Sequence, residues 1–310
     1  MNKPISQMHV VVLKGGFSSE REVSLRSGQA VADALREHAA RITEVDVTTA
    51  DFALPAGVDF AFLALHGEFG EDGGVQAVLE KRGVPYSGAG VETSRIGFDK
   101  VLSKKAFVSA GVITPGHEIL ESPTPQPGKL RVPLVVKPPC QGSSVGIEIV
   151  KDESALEKAI QGAYRYGRQA LLEEFHAGRE LTVGVVGGEA LPIVEIRPKS
   201  GFYDYQNKYT QGASEYQVPA FLEPAQAEAV CREALKAYHS LGTDIVYGRV
   251  DVILDEKSTP WVLEVNTIPG MTATSLLPKA AAAIGIGFGD LCVRIIRESL
   301  KIRGMGKEKN

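Results

Sequence analysis

The sequence predicts an α/β protein of three lobes: an open parallel α/β unit followed by two α+β lobes. Three observations support this. Over the first ~90 residues, apolar runs of strand length alternate with helical periodicity, the pattern of a parallel sheet. In the middle of the chain, a strand ending in Lys137 feeds the Gly/Ser-rich segment Q-G-S-S-V-G-I, residues 141–147. Near the end, G-R-V-D-V-I-L-D from Gly248 and W-V-L-E-V-N-T from Trp261 set polar residues two apart along apolar runs. A length of 310 residues is ample for two to three lobes.

The first unit spans residues 1–89. His9–Leu13 is an apolar run that ends in Gly15-Gly16. A helical pattern follows, with Val23, Ser27, Ala30, Val31, Ala34 and Leu35 near one face. Ser18 or Ser19 is placed to cap this helix. Glu20 and Glu22 in the first turn suit its dipole, although Glu20 lies on the loop nearest the strand end. Ile42–Val47 and Phe60–Leu65 read as strands, and Val75–Lys81 as a short helix closed by Gly83. Open parallel sheets bind ligands at the carboxyl ends of their strands. Both polar signatures fall there: G-G-F-S-S-E-R-E after the first strand, and H-G-E-F-G-E-D-G (66–73) after the third. The glycine pair is not a dinucleotide fingerprint, because G-x-G-x-x-G is absent.

The second lobe, 90–177, opens with a helix over Glu92–Ser109 that stops at Gly111. Pro133–Lys137 is a strand. The Gly/Ser loop after it can bring backbone N–H groups close to phosphates, with Lys137 as a point charge. It is not a Walker A loop, since the lysine precedes it. Asp152–Tyr166 reads as a helix capped by Asp152. Gln169–Phe175 reads as a strand turning acidic at its exit, a position that suits a hinge for a base and ribose, although such exits are usually solvated. The S-P-T-P-Q-P-G stretch, 122–128, is a surface loop.

The third lobe, 178–310, has strand-like runs at Leu181–Val186, Leu191–Ile196, Ile245–Leu254 and Trp261–Val265. Between them, 202–216 is too polar for a core element and reads as a mobile, packed lid with four tyrosines. Pro224 and Gly242 bracket a helix. Helices around Leu276–Ile284 and Phe288–Leu300 close the chain.

In a strand, residues two apart share a face. Arg249 and Asp251 therefore share one face of their run, and Glu264 and Asn266 one face of theirs. Asp251, Glu264 and Asn266 are hard oxygen ligands of the kind that suits Mg²⁺ beside substrate phosphates. Arg249 would be an anion clamp next to them. The alternative is that these charges lie on the solvated face of an antiparallel sheet.

Composition excludes more than it assigns. The net charge of −4 implies no polyanionic partner, so no nucleic acid is expected. Cys140, Cys231 and Cys292 are far apart and odd in number, which reads as reduced thiols in a cytoplasmic protein. No apolar run reaches membrane-spanning length, and the N-terminus lacks a signal-peptide apolar region.

With these residues assembled, the chain resembles the D-alanine–D-alanine ligases of the ATP-grasp superfamily over nearly its whole length. The motifs are G-G-x-S-x-E-R-E-V-S, A-L-H-G-x-x-G-E-D-G, V-K-P with G-S-S-V-G, Y-D-Y-x-x-K-Y, G-R-x-D and E-x-N-T-x-P-G-M-T, in family order. The resemblance implies a three-lobed ATP-grasp fold, with the last two lobes enclosing the nucleotide. It implies ATP as co-substrate, two Mg²⁺ (or Mn²⁺) ions, two D-alanine substrates, a D-alanyl phosphate intermediate, a role in making peptidoglycan precursors and a homodimer. Residue by residue, it implies Asp251, Glu264 and Asn266 as metal ligands. Lys100 and Lys137 match nucleotide-phosphate lysines. Glu173, Phe175 and Glu180 match the adenine and ribose region. Arg249 and the Gly270 N–H match groups that support the transferred phosphoryl or the oxyanion. Glu20 matches the carboxylate for the first ammonium, His66 a histidine on the same side, and Ser275 and Leu276 the second D-alanine pocket. Lys208 and Tyr209 match a loop over the nucleotide, with Tyr209, Ser143 and Glu20 hydrogen-bonded to exclude water. Cys140, and Phe175 where relatives can carry Trp, are local departures.

Three other readings are weighed. A related ATP-grasp ligase such as a D-alanine–D-lactate ligase would keep every metal ligand; Tyr209 favours the dipeptide maker. A silent amino-acid-binding protein on the same scaffold would be expected to lose ligands, and none is missing. A nicotinamide oxidoreductase lacks its fingerprint.

Overall fold

The computed structural model of the chain describes residues 3–124, 128–142, 145–198 and 214–304. Three sheets organise them. The first is parallel, in the order β2 (Arg41–Val47), β1 (His9–Gly15), β3 (Phe60–Leu63). β1 is buried along nearly its whole length, as a central parallel strand must be. α1 (Arg21–Leu35) packs on it through Ser24, Ser27, Gly28, Val31, Ala32 and Leu35. This stripe is rotated from the predicted one. Small residues let the helix press in: a Cβ at Gly28 would meet the Lys14 Cβ at 2.4 Å.

Two local expectations are corrected here. No serine side chain caps α1, which starts after Glu20. Ser18 instead accepts the Glu20 N–H at 3.2 Å and donates its own proton to the His66 carbonyl at 2.7 Å. It thus ties the loop after β1 to the loop after β3. β3 also ends at Leu63 rather than Leu65, and the chain then turns through Gly67 with φ +70°. α2 (Gly74–Lys81) follows as expected.

The predicted helix over 92–109 is two helices, α3 (Val91–Phe98) and α4 (Lys100–Ser109). Asp99 interrupts them with extended backbone, and its Oδ1 accepts the N–H groups of Val101 at 2.8 Å and Leu102 at 3.3 Å. A carboxylate at this point satisfies orphan donors and complements the helix dipole. The break puts Lys100 in the first turn of α4.

The second sheet is antiparallel, in the order β4 (His117–Leu120), β7 (Ala170–Glu174), β5 (Leu134–Lys137), β6 (Glu148–Val150). α5 (Leu156–Ala163) covers it. The predicted helix over 152–166 is α5 between two short 3₁₀ turns, and Asp152 caps the first turn rather than α5, accepting the Ser154 N–H at 2.8 Å. The third sheet has six strands. Its path is β11 (Ser214–Gln217), β10 (Val194–Pro198), β8 (Arg179–Val186), β12 (Tyr247–Leu254), β13 (Pro260–Asn266), with β9 (Glu189–Ala190) pairing off β8. The predicted lid over 202–216 is corrected at its end, where Ser214–Tyr216 pair with β10; residues 202–213 lie outside the described residues. α6 (Pro224–Ser240) carries a capping box between Glu223 and Gln226. α7 (Leu276–Ala282) and α8 (Phe288–Gly304) end the described chain.

Apolar residues of the first sheet, among them Val10 and Val12, share one cluster with Val186, Leu277 and Ile295. The first and third sheets are therefore cored together, which fixes the loops after β1 and β3 against the loop after β13. The second sheet has its own cluster around Leu134, Val136 and Ile160. Replacing Asp99 by Ala should lower stability by about 1 kcal/mol, with Asn keeping most of it. Urea unfolding of the two variants checks this, and equal losses would deny Asp99 its capping role.

Candidate active site

β12 and β13 run antiparallel with Arg249 opposite Asn266 and Asp251 opposite Glu264. The Arg249 and Asp251 side chains are 14% and 13% exposed, so this is not a solvated sheet face. Arg249 Nε and Nη2 donate to Asp251 Oδ1 and Oδ2, each at 2.9 Å. Thr182 Oγ1 adds a hydrogen bond to Asp251 Oδ1 at 2.7 Å. Glu264 lies 3.6 Å from Lys100 Nζ, which also donates to the Gln141 carbonyl at 2.7 Å. Asn266 Oδ1 accepts the Ile268 N–H at 3.0 Å. Each carboxylate thus has a cation beside it, as carboxylates drawn together in a poorly solvated place need.

This donor set fits a hard divalent cation: two carboxylates and an amide oxygen on one paired stretch. Among the described residues no three His, Cys, Asp or Glu side chains group as metal ligands; the third donor of this set is an asparagine.

A cavity of about 430 Å³ opens onto this face. Of the residues predicted from sequence, Glu20, His66, Lys100, Arg249, Glu264, Asn266, Gly270, Ser275 and Leu276 line it. Asp251 sits against Arg249 without lining the cavity. Loops from all three sheets meet there. Glycine lets backbone approach Glu20 from two sides. A Cβ on Gly142 would meet Glu20 Oε2 at 2.7 Å, and one on Gly67 would meet it at 3.2 Å. Ser275 Oγ accepts the Thr272 N–H at 3.1 Å and tightens the turn after Gly270. His66 Nε2 lies 3.4 Å from Ser27 Oγ, which also accepts the Met271 N–H at 3.4 Å. Burial holds the imidazole below its ordinary pKa against the nearby Glu20 carboxylate, so it is neutral at neutral pH.

Sequence reasoning missed Glu71. It is buried, lines the cavity, and accepts the Gly67 N–H at 2.6 Å. Burial, then the Glu20 carboxylate, push its carboxyl up to about 8. Its signal was present, since it is the first acid of the E-D-G in the 66–73 motif.

Lys137 and Glu173 stand apart from the cavity lining. They form a buried ion pair at 2.7 Å between β5 and β7. The expectation that an acidic strand exit is solvated holds for exposed Glu174 and fails for Glu173. Phe175 is half-buried, its N–H bonded to the Pro133 carbonyl at 3.2 Å, and Glu180 lies on β8 opposite Ile196 and Ile253. The structure does not bring either into the cavity. Ser143, Lys208 and Tyr209 lie outside the described residues. The three cysteines are free. Burial, then Asp99, push the Cys140 thiol up to about 11, so it is a poor nucleophile.

The family model described as "D-ala D-ala ligase C-terminus" matches residues 117–297, and "D-ala D-ala ligase N-terminus" matches 48–89. The chain belongs to the D-alanine–D-alanine ligase family. It is 48% identical over 296 residues to a D-alanine–D-alanine ligase of Methylacidiphilum infernorum, covering 96% of this chain and 97% of that one. It is 45% identical to one of Syntrophotalea carbinolica, covering 94% and 96%. The crystal structure of the Bacillus anthracis ligase complexed with ATP is similar at TM-score 0.84 and 34% identity, covering 96% and 99%. The fold is accordingly the α/β ATP-grasp type expected from sequence. No helix among the described residues is long and apolar enough to cross a membrane.

Glu71 gives a test by pH. A carboxyl raised from 4.5 to about 8 favours folding while protonated, and that contribution is lost as pH rises from 4.5 through 8. Glu71→Gln cannot ionise, so its stability should fall less between pH 5.5 and 8.5 than the wild type's. Urea unfolding at both pH values reads the difference. Parallel pH profiles would contradict a buried neutral Glu71.

Proposed function

We propose that the chain joins two D-alanine molecules at the expense of ATP, releasing D-alanyl-D-alanine, ADP and phosphate. The observation that carries this is the cavity itself, where Glu20 and His66 of the first unit face Arg249, Glu264 and Asn266 of the third sheet, in a ligase-family chain. The protein is an ATP-dependent carbon–nitrogen ligase that works through a D-alanyl phosphate. The product belongs to peptidoglycan precursor synthesis.

The residue roles follow from charge and place. Glu20 holds the ammonium of the first D-alanine, beside a neutral His66 that does not repel it. The carboxylate of that D-alanine attacks the γ-phosphate of ATP, and the acyl phosphate forms with loss of ADP. Arg249 and the Gly270 N–H then stabilise the oxyanion that develops when the second amine attacks. Ser275 and Leu276 bound the second pocket, and that amine loses its proton before it attacks. Lys100 and Lys137 draw the phosphates, with Glu173, Phe175 and Glu180 on the adenine and ribose side. Ser143, Lys208 and Tyr209 close over the nucleotide and exclude water. Asp251, Glu264 and Asn266 would hold two Mg²⁺ or Mn²⁺ ions, which when bound offset the negative charge of the phosphates.

Lobes 1–89, 90–177 and 178–310, a homodimer and a cytoplasmic setting belong to the same reading. The ester-forming D-alanine–D-lactate activity has no observation in its favour. Phosphate release with Mg-ATP and D-alanine, and none with L-alanine or D-lactate in its place, is the expected result. Glu264→Gln should abolish that release while circular dichroism stays native. Near-wild-type turnover in the variant would remove Glu264 from the site.

A further inference from the structure

Lys104 belongs to no predicted function, yet it is among the most buried charges in the protein. It sits mid-helix in α4 with a side chain 1% exposed. Its ammonium lies 2.9 Å from Glu173 Oε1, while Lys137 takes Oε2 at 2.7 Å. The Glu173 side chain is 2% exposed and that of Lys137 6%. Two ammonium groups therefore share one carboxylate, with one oxygen for each. Lys104 also donates to Thr114 Oγ1, which donates to the Val262 carbonyl of β13 at 2.7 Å. The trio thus joins α4, β5 and β7 to the strand that bears Glu264.

A lone Lys137–Glu173 pair would be neutral and closed on itself. The second lysine changes this. With Lys104 2.9 Å from its other oxygen, Glu173 neutralises only part of Lys137, and the trio keeps one surplus positive charge where water is scarce. Such a charge is unfavourable unless an anion comes to meet it. We propose that Lys104 is a positioning residue of the nucleotide site: by sharing Glu173 it leaves the Lys137 ammonium only partly neutralised, so that it draws a nucleoside polyphosphate. This rests on the ATP-dependent reading above.

The charged and titratable groups that act on Lys104 are Glu173 from β7, Lys137 from β5, Glu264 from β13 and His117 from β4. Burial lowers the Lys104 ammonium to about 8, although Glu173 opposes the shift. Glu173 stays ionised at about 2, because Lys137 and Lys104 outweigh its burial. Lys104 therefore loses its charge as pH rises through about 8. A bound polyanion would restore its proton, so nucleotide binding just above pH 8 should take up protons.

The test is titration calorimetry of ADP with Mg²⁺ at pH 7.0 and 8.5, in two buffers of different ionisation enthalpy. The full-length wild type should take up protons at pH 8.5 and bind more weakly there than at pH 7.0. Lys104→Met should raise the ADP Kd at pH 7.0 about tenfold or more and lose the proton uptake. Lys104→Arg, always charged, should bind within a few-fold of wild type at pH 7.0 and also lose the uptake. Thermal unfolding of each variant reports whether it folds. Wild-type Kd in Lys104→Met, or a weakened Kd with proton uptake intact, would overturn the proposal. The wild type settles it alone if neither variant folds, since absence of uptake at pH 8.5 overturns it. A wild type that binds no ADP would overturn the nucleotide reading and this proposal with it.

Discussion

Pairing of β12 with β13 is the constraint on which the site depends. Its register sets Asp251 against Glu264 and Arg249 against Asn266, so two carboxylates, an amide and a guanidinium share one face by backbone hydrogen bonding alone. A one-residue slip of β13 would turn Glu264 and Asn266 away from the cavity and drive Val265 out of the core. The apolar alternation that buries the strands is thus also what aims the polar groups.

Around that pair the molecule manages charge with internal cations. Arg249 holds Asp251, and Lys100 lies beside Glu264. Lys104 and Lys137 share Glu173 deeper in the second sheet. On the opposite wall, burial, and after it the Glu20 carboxylate, keep the Glu71 carboxyl protonated at neutral pH. On the proposed reading, a polyphosphate would meet cations already in place, and an amino acid one carboxylate and a neutral histidine. Preorganised charge of this kind carries much of the catalysis expected in acyl-phosphate chemistry.

The four residues of β12 and β13 were legible because strand periodicity is local and short. Glu20 and His66 were legible because each follows a parallel strand. Asp99 was not, since a carboxylate in a helical pattern reads equally as solvated surface or as a cap. Only the extended backbone at Asp99 separates α3 from α4. Lys104 was hidden for a related reason. A lysine in a helix reads as solvent-facing, and its burial depends on Glu173 some seventy residues away in sequence. Glu71 lay inside a recognised motif, yet its protonation depends on its burial in the fold and then on Glu20 from another loop. What escaped the sequence was contact between distant segments.

On the proposed reading, Arg249 holds the Asp251 carboxylate in place through two hydrogen bonds until a divalent cation takes it over. A crystal structure with Mn²⁺ and ADP tests it most directly through anomalous scattering. The account predicts manganese on Asp251, Glu264 and Asn266, with the Arg249–Asp251 pair opened. Manganese bound elsewhere, or that pair intact beside an occupied nucleotide site, would contradict it.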